Sequence, residues 1–141
     1  MFKKLIVAID FSELSLRAAT VAANLARSVG GQVVLVHVVN PSADYGAIGL
    51  PGDNLRPGIE GKLKEIIAGL GASTNADWGV VDGDAATELS AFAQRWDGDL
   101  IVIGTHGRTG LNRMMLGSVT TRLVREAAVP VLVIGPEHRI S

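Results

Sequence analysis

Gly104, Gly107 and the pair Gly117-Ser118 are the part of this sequence best suited to chemistry. Two residues separate the first pair of glycines, and nine separate Gly107 from Gly117. The apolar run Leu100-Ile101-Val102-Ile103 comes before them and reads as a buried strand. Residues 119–128 come after them and read as a helix. A strand that ends in glycines and opens onto a helix can hold a phosphate. The glycines let backbone N–H groups approach an anion, and the first helical turn adds unpaired donors and a positive dipole end. The Ser118 hydroxyl and the N–H groups of Ser118, Val119 and Thr120 would then share one phosphate. Each glycine alone also reads as a turn residue, and Ser118 as a helix N-cap. Three glycines at this spacing favour the anion. At Gly117, phosphate contact or a positive φ is expected to exclude a side chain.

Other polar residues compete for attention. Asp10 closes the apolar run Leu5-Ile6-Val7-Ala8-Ile9. Its carboxylate could accept hydrogen bonds from a ribose or a base, help hold a metal ion, or simply cap the helix that follows. Arg108 offers a charge to a phosphate or to solvent. His106 is the one candidate base, with no serine or cysteine nucleophile near it in sequence. His37 stands in an apolar strand and reads as a packed, hydrogen-bonded core residue. With His138 near the tail, no histidine or carboxylate pair has metal-ligand spacing, so no structural metal is expected. Arg113 to Leu116 reads as loop packing or as a contact surface. The chain has neither a G-x-x-x-x-G-K-[ST] phosphate loop nor a G-x-G-x-x-G after its first strand.

The elements that must position these residues alternate. Strands are expected at residues 4–9, 32–39, 78–81, 100–103 and 131–135, from continuous apolar runs. Helices are expected from Ser12 to the Gly30-Gly31 stop, then at 59–70, 85–96 and 119–128. Residues 40–58, rich in proline and glycine, read as one long loop that also contains Asp44 and Asp53. The β-α-β alternation predicts an α/β fold: a five-stranded parallel sheet with helices on both faces.

Composition narrows the class. One domain, residues 1–141, is expected from the length, and 48% apolar residues suit a buried sheet. A net charge of −1 provides no field toward nucleic acid or an anionic membrane. The absence of cysteine excludes disulfides and thiolate chemistry. No apolar span approaches membrane length. A cytoplasmic protein is expected, with neither a nucleic-acid nor a membrane partner.

The pattern G-x-x-G-x9-G-[ST] resembles the nucleotide-binding signature of the universal stress protein family. The first strand with Asp10 and Ser12, the strand Val34-Leu35-Val36-His37-Val38 and the end Val129-Pro130-Val131-Leu132-Val133-Ile134 are similar to the family's first, second and last strands. The resemblance implies a single Rossmann-like domain with strand order 3-2-1-4-5, and a ligand at the switch point between strands one and four. It implies ATP, or ADP or AMP, with magnesium as counter-ion. Gly107, Gly117, Ser118, Val119 and Thr120 would line the triphosphate, with Gly104 and Arg108 in the same loop. Val38 and Ile103 would flank the adenine and ribose, and Ala8 and Ile9 would lie near the base, beside Asp10. It also implies a homodimer through the last strand, Val131–Ile134.

The function expected on this basis is an ATP-binding stress-response protein, a nucleotide-dependent regulator and not an enzyme. The alternatives are a slow ATPase or phosphotransferase, and a nucleotide-independent interaction protein. A flavin or nicotinamide protein would need a fingerprint that this chain lacks.

Overall fold

The computed structural model describes residues 2–50, 55–106 and 117–136. Five strands, β1 (Lys4–Ala8), β2 (Gln32–Val39), β3 (Ala76–Asp82), β4 (Leu100–Gly104) and β5 (Val131–Ile134), form one sheet in the order β3-β2-β1-β4-β5. Every pairing is parallel, with Lys4 opposite Gln32 on one side of β1 and Leu5 opposite Leu100 on the other. Four helices connect the strands: α1 (Glu13–Val29), α2 (Leu55–Gly69), α3 (Ala85–Arg95) and α4 (Ser118–Glu126). This is the Rossmann-like α/β arrangement expected from the sequence.

Side-chain parity sorts the core into two layers. Leu5, Val7, Val33, Leu35, Leu100 and Val102 pack with α1 and α2. Ile6, Val34, Val36, Ile101 and Ile103 pack with α3 and α4. Buried alanines, Ala18, Ala19, Ala22, Ala23 and Ala26, form the inner face of α1. Their small side chains let the helix lie close to the sheet. Ser12 caps α1 by accepting the Ser15 N–H, and Gly30 ends it in the left-handed conformation at φ 68°.

Several boundaries differ from the sequence expectation, chiefly in three places. The proline- and glycine-rich stretch is not one loop. A short 3-10 helix covers Tyr45–Ile48, and α2 begins at Leu55, not at 59. Pro57 fits there because the first helical turn has no intrahelical acceptor for its N–H groups. Gly58 fits because a Cβ would lie 2.7 Å from Leu50 Cδ2. The third strand is longer than 78–81, because all its residues from Ala76 to Asp82 pair with β2. Finally, α4 starts at Ser118 with Gly117 as its N-cap, so Ser118 is not the cap, and the helix ends at Glu126, not at 128. Ala127 is already extended at ψ 140°, as the chain approaches Pro130.

Candidate functional site

A cleft of about 650 Å³ opens at the carboxyl edge of the sheet, where β1 and β4 lie side by side. In this order of strands, that is the switch point. Three stretches of chain form most of its lining, and Ala85 and Leu89 of α3 complete it.

The first is the turn from β1 into α1. Ile9 prolongs the strand by donating its N–H to the Val36 carbonyl at 2.9 Å. Asp10 Oδ1 then accepts the Ser12 N–H at 3.0 Å. Phe11, between them, is held at φ 66°, a left-handed conformation unusual for an aromatic residue. Asp10 thus shapes the turn and also lines the cleft, together with Ala8, Ile9 and Ser12. The turn reading of Asp10 holds.

The second wall joins β4 to α4. Thr105 donates its N–H to Ile134 at 2.8 Å, and Gly117 donates its own to the Thr105 carbonyl at 2.6 Å. The Thr120 hydroxyl, almost fully buried, donates to the Gly104 carbonyl at 2.7 Å. These bonds fix the start of α4 against the end of β4. The first helical hydrogen bond runs from the Thr121 N–H to the Gly117 carbonyl. The N–H groups of Ser118, Val119 and Thr120 precede it and have no acceptor within the helix. All three residues line the cleft with Ile103, Gly104, His106 and Gly117. The hydroxyl proton of Thr120 is committed to Gly104, so only its N–H is left to offer a ligand.

Contact rather than torsion favours glycine here, strongly at Gly104 and mildly at Gly117. Gly117 has φ −66° and ψ 162°, so the expected positive φ is not found. A Cβ there would stand 3.3 Å from His106 Cα, and one at Gly104 would stand 2.9 Å from Leu14 Cβ. Gly107 and Arg108, with Arg113 to Leu116, lie outside the described residues.

The third wall is the end of β2 and the strap after it, residues 40–50. Val38, Asn40, Ser42, Ala43, Asp44 and Tyr45 line the cleft. The sequence placed Asp44 in the long 40–58 loop and not among the expected site residues. The structure places it at the cleft, where Oδ1 accepts the Ala47 N–H at 3.2 Å and starts the 3-10 helix. Asp53 lies outside the described residues.

His37 is the residue whose position was half legible. It is buried, as expected, but it also reaches the cleft. Its Nδ1 is 2.7 Å from the Ile9 carbonyl and its Nε2 is 2.8 Å from the Tyr45 hydroxyl. Its parity with Val33 and Leu35 puts it on the α1–α2 face. Its place near the end of the strand puts it at the sheet edge. Tyr45 gave no sequence signal beyond being the lone tyrosine.

The cleft therefore has a donor end at α4 and carboxylates, Asp10 and Asp44, on other walls. A ligand with an anionic group and hydrogen-bond donors suits it. Among the described residues, no three or more histidines, cysteines or acids are grouped to hold a metal ion. None of the helices among them is long and apolar enough to cross a membrane.

The model of the universal stress protein family matches residues 1–135. The chain is 37% identical to Universal stress protein MJ0531 of Methanocaldococcus jannaschii, over 95% of its own length and 82% of that protein's. In three dimensions it resembles a universal stress protein solved in complex with cAMP, at a TM-score of 0.71 and 23% identity, over 95% of this chain and 97% of that one. It also resembles the universal stress protein from Archaeoglobus fulgidus in complex with dAMP, at a TM-score of 0.67 and 24% identity, over 95% and 99% of the two chains. At such identities, the solved structures speak to the fold.

Proposed function

We propose that this chain, which belongs to the universal stress protein family, binds an adenine nucleotide, ATP with magnesium foremost, and uses occupancy as a signal. The observation that carries this reading is the convergence of Asp10, Val38, Ile103 and the first turn of α4 on one cleft. The phosphates would lie on the N–H groups of Ser118, Val119 and Thr120. Val38 and Ile103 would clamp the base, and Asp10 would accept from the ribose. The nucleotides held by two structural relatives support an adenine ligand. Magnesium would be held through phosphate oxygens and water, as hard cations with few protein ligands are. Calorimetry with ATP, ADP, AMP and GTP tests this, together with mass spectrometry of what copurifies. Saturation by ATP but not GTP is expected, and no heat at millimolar ATP rejects the reading.

The same reading includes a homodimer through β5. That strand pairs only with β4 among the described residues, and Leu132 on it and Val124 on α4 are exposed. An open apolar edge is best covered by a second copy.

One observation favours a second reading, slow ATP hydrolysis. His106 lines the cleft, with Nδ1 3.2 Å from its neighbour's hydroxyl, Thr105 Oγ1. Phosphoryl transfer needs positioned charge on the γ-phosphate and a group that orients the nucleophile. Single-turnover release of phosphate, abolished in His106→Ala, would favour hydrolysis over signalling by occupancy.

A further inference from the structure

We propose that the Tyr45 hydroxyl is a latch that holds the 40–50 strap in place as a wall of the cleft, and that His37 is the positioning residue that keeps it closed. The proposal rests on the nucleotide reading for its ligand, but not for the latch itself.

The hydrogen bonds fix the direction of the chain. The Ile9 carbonyl can only accept, so His37 Nδ1 carries a proton and donates to it at 2.7 Å. In the neutral ring, Nε2 is then an acceptor, and the Tyr45 hydroxyl donates to it at 2.8 Å. The Tyr45 oxygen in turn accepts the Asn40 N–H at 2.9 Å. One hydroxyl thus joins the last part of β2, the first residue of the strap and the 3-10 helix. The rings reinforce this: His37 lies 4.9 Å from Phe11 and meets Tyr45 edge-on at 5.7 Å. Phe11 is the left-handed residue beside Asp10, so the same imidazole touches the β1–α1 wall and the strap wall.

The rest of the strap depends on Tyr45. Its carbonyl accepts the Leu50 N–H at 2.9 Å, and Gly46 accepts the Gly49 N–H at 3.0 Å. Tyr45 and Leu50 are the strap's two buried side chains. Residues 42–45 line the cleft. A shift at Tyr45 therefore moves the wall that carries Asp44.

Protonating His37 reverses the bond to Tyr45. Nε2 becomes a donor, and the Tyr45 oxygen then receives two donors, His37 and Asn40. The buried hydroxyl proton is left without its acceptor. The other titratable groups lining the cleft are Asp10 from the β1–α1 turn, Asp44 from the strap itself and His106 after β4.

Two measurements test the proposal on the full chain. Hydrogen exchange reads the Gly49 and Leu50 amides without any ligand. Calorimetry reads ATP affinity. Tyr45→Phe should lower the protection of both amides, and ATP affinity, by about tenfold, the equivalent of one lost hydrogen bond. Wild-type protection should fall in acid, where protonation of His37 reverses the bond to Tyr45. His37→Gln, which can place an acceptor near the Nε2 position, should keep the protection and lose that pH dependence. Unchanged protection in Tyr45→Phe overturns the latch. The same acid response in His37→Gln as in the parent overturns the role of His37. Lowered protection with unchanged ATP affinity overturns the link to the cleft. If the parent binds no adenine nucleotide, the nucleotide reading fails alone, and the exchange results still decide the latch.

Discussion

Gly104→Ala and Gly117→Ala should behave differently, although both glycines belong to one spacing pattern. A Cβ at Gly104 would sit 2.9 Å from Leu14 Cβ, roughly 0.6 Å inside an ordinary carbon–carbon contact of about 3.5 Å. Leu14 cannot rotate this atom away, because its position follows from the backbone of the first turn of α1. The strain must therefore be relieved by moving α1 or the end of β4. Overpacking of this kind costs about 1–3 kcal/mol. At Gly117 the clash is milder, 3.3 Å to His106 Cα, and φ −66° suits any L-residue. Replacing glycine where the backbone permits it gains about 0.4–1 kcal/mol from the unfolded chain, which roughly offsets the tight contact. The expected order is Gly104→Ala clearly destabilised and Gly117→Ala near the parent. Urea denaturation monitored by circular dichroism measures both, and the melting shift should be roughly 2–4 °C per kcal/mol. Because α1 carries Ser12 and Ser15 into the cleft, Gly104→Ala should also weaken ATP binding. If Gly104→Ala is as stable as the parent, or Gly117→Ala is the less stable of the two, packing against Leu14 is not why position 104 is glycine.

Asp10→Ala should weaken ATP binding by about 0.5–1.5 kcal/mol for one neutral hydrogen bond, or more if the role is charged. Asp77→Ala, on the far edge strand, should leave calorimetric affinity unchanged; equal losses would remove Asp10 from the site. Asp84 caps α3, and its carboxyl is held below the usual 3.8 by the Thr87 N–H, then the Thr87 hydroxyl, then Arg122. A lowered folded-state value gives stability that is present above the unfolded value and is lost as pH falls through the folded one. Asp84→Ala should therefore melt lower than the parent at pH 7, with the gap closing below about pH 4; a gap independent of pH refutes this. Leu132→Lys should shift the protein from dimer to monomer in sedimentation velocity, and a parent that sediments as a monomer removes the β5 interface.

The three inner strands were legible because they are buried on both faces. Runs such as Leu100-Ile101-Val102-Ile103 have no other reading between turns, and the gaps between strands fit right-handed crossovers. The strand order was not in the periodicity; it came with the family resemblance. The start of α2 was misread because proline and glycine mark breaks by default. Pro57 sits where a helix tolerates it, and Gly58 answers to Leu50, a neighbour that only the fold brings close. The α4 wall was legible from glycine spacing, which reflects backbone approach over a few residues. The strap wall was not. Asp44 and Tyr45 reach the cleft through a 3-10 turn and a hydroxyl bridge to His37, and such contacts leave no period in a sequence.

The pairing of β1 has a kinetic consequence. Its contact with β2 joins Lys4 to Gln32, close in sequence, whereas its contact with β4 joins Leu5 to Leu100. Loop closure favours the near partner, so the β1-α1-β2 unit is the natural nucleus, and β4 with β5 dock later. The cleft lies across that seam and exists only once both parts meet. A molecule bound there would hold together contacts absent from the folding transition state. It would slow unfolding while leaving the refolding rate nearly unchanged. Occupancy would then act as a clock on how long each folded copy lasts.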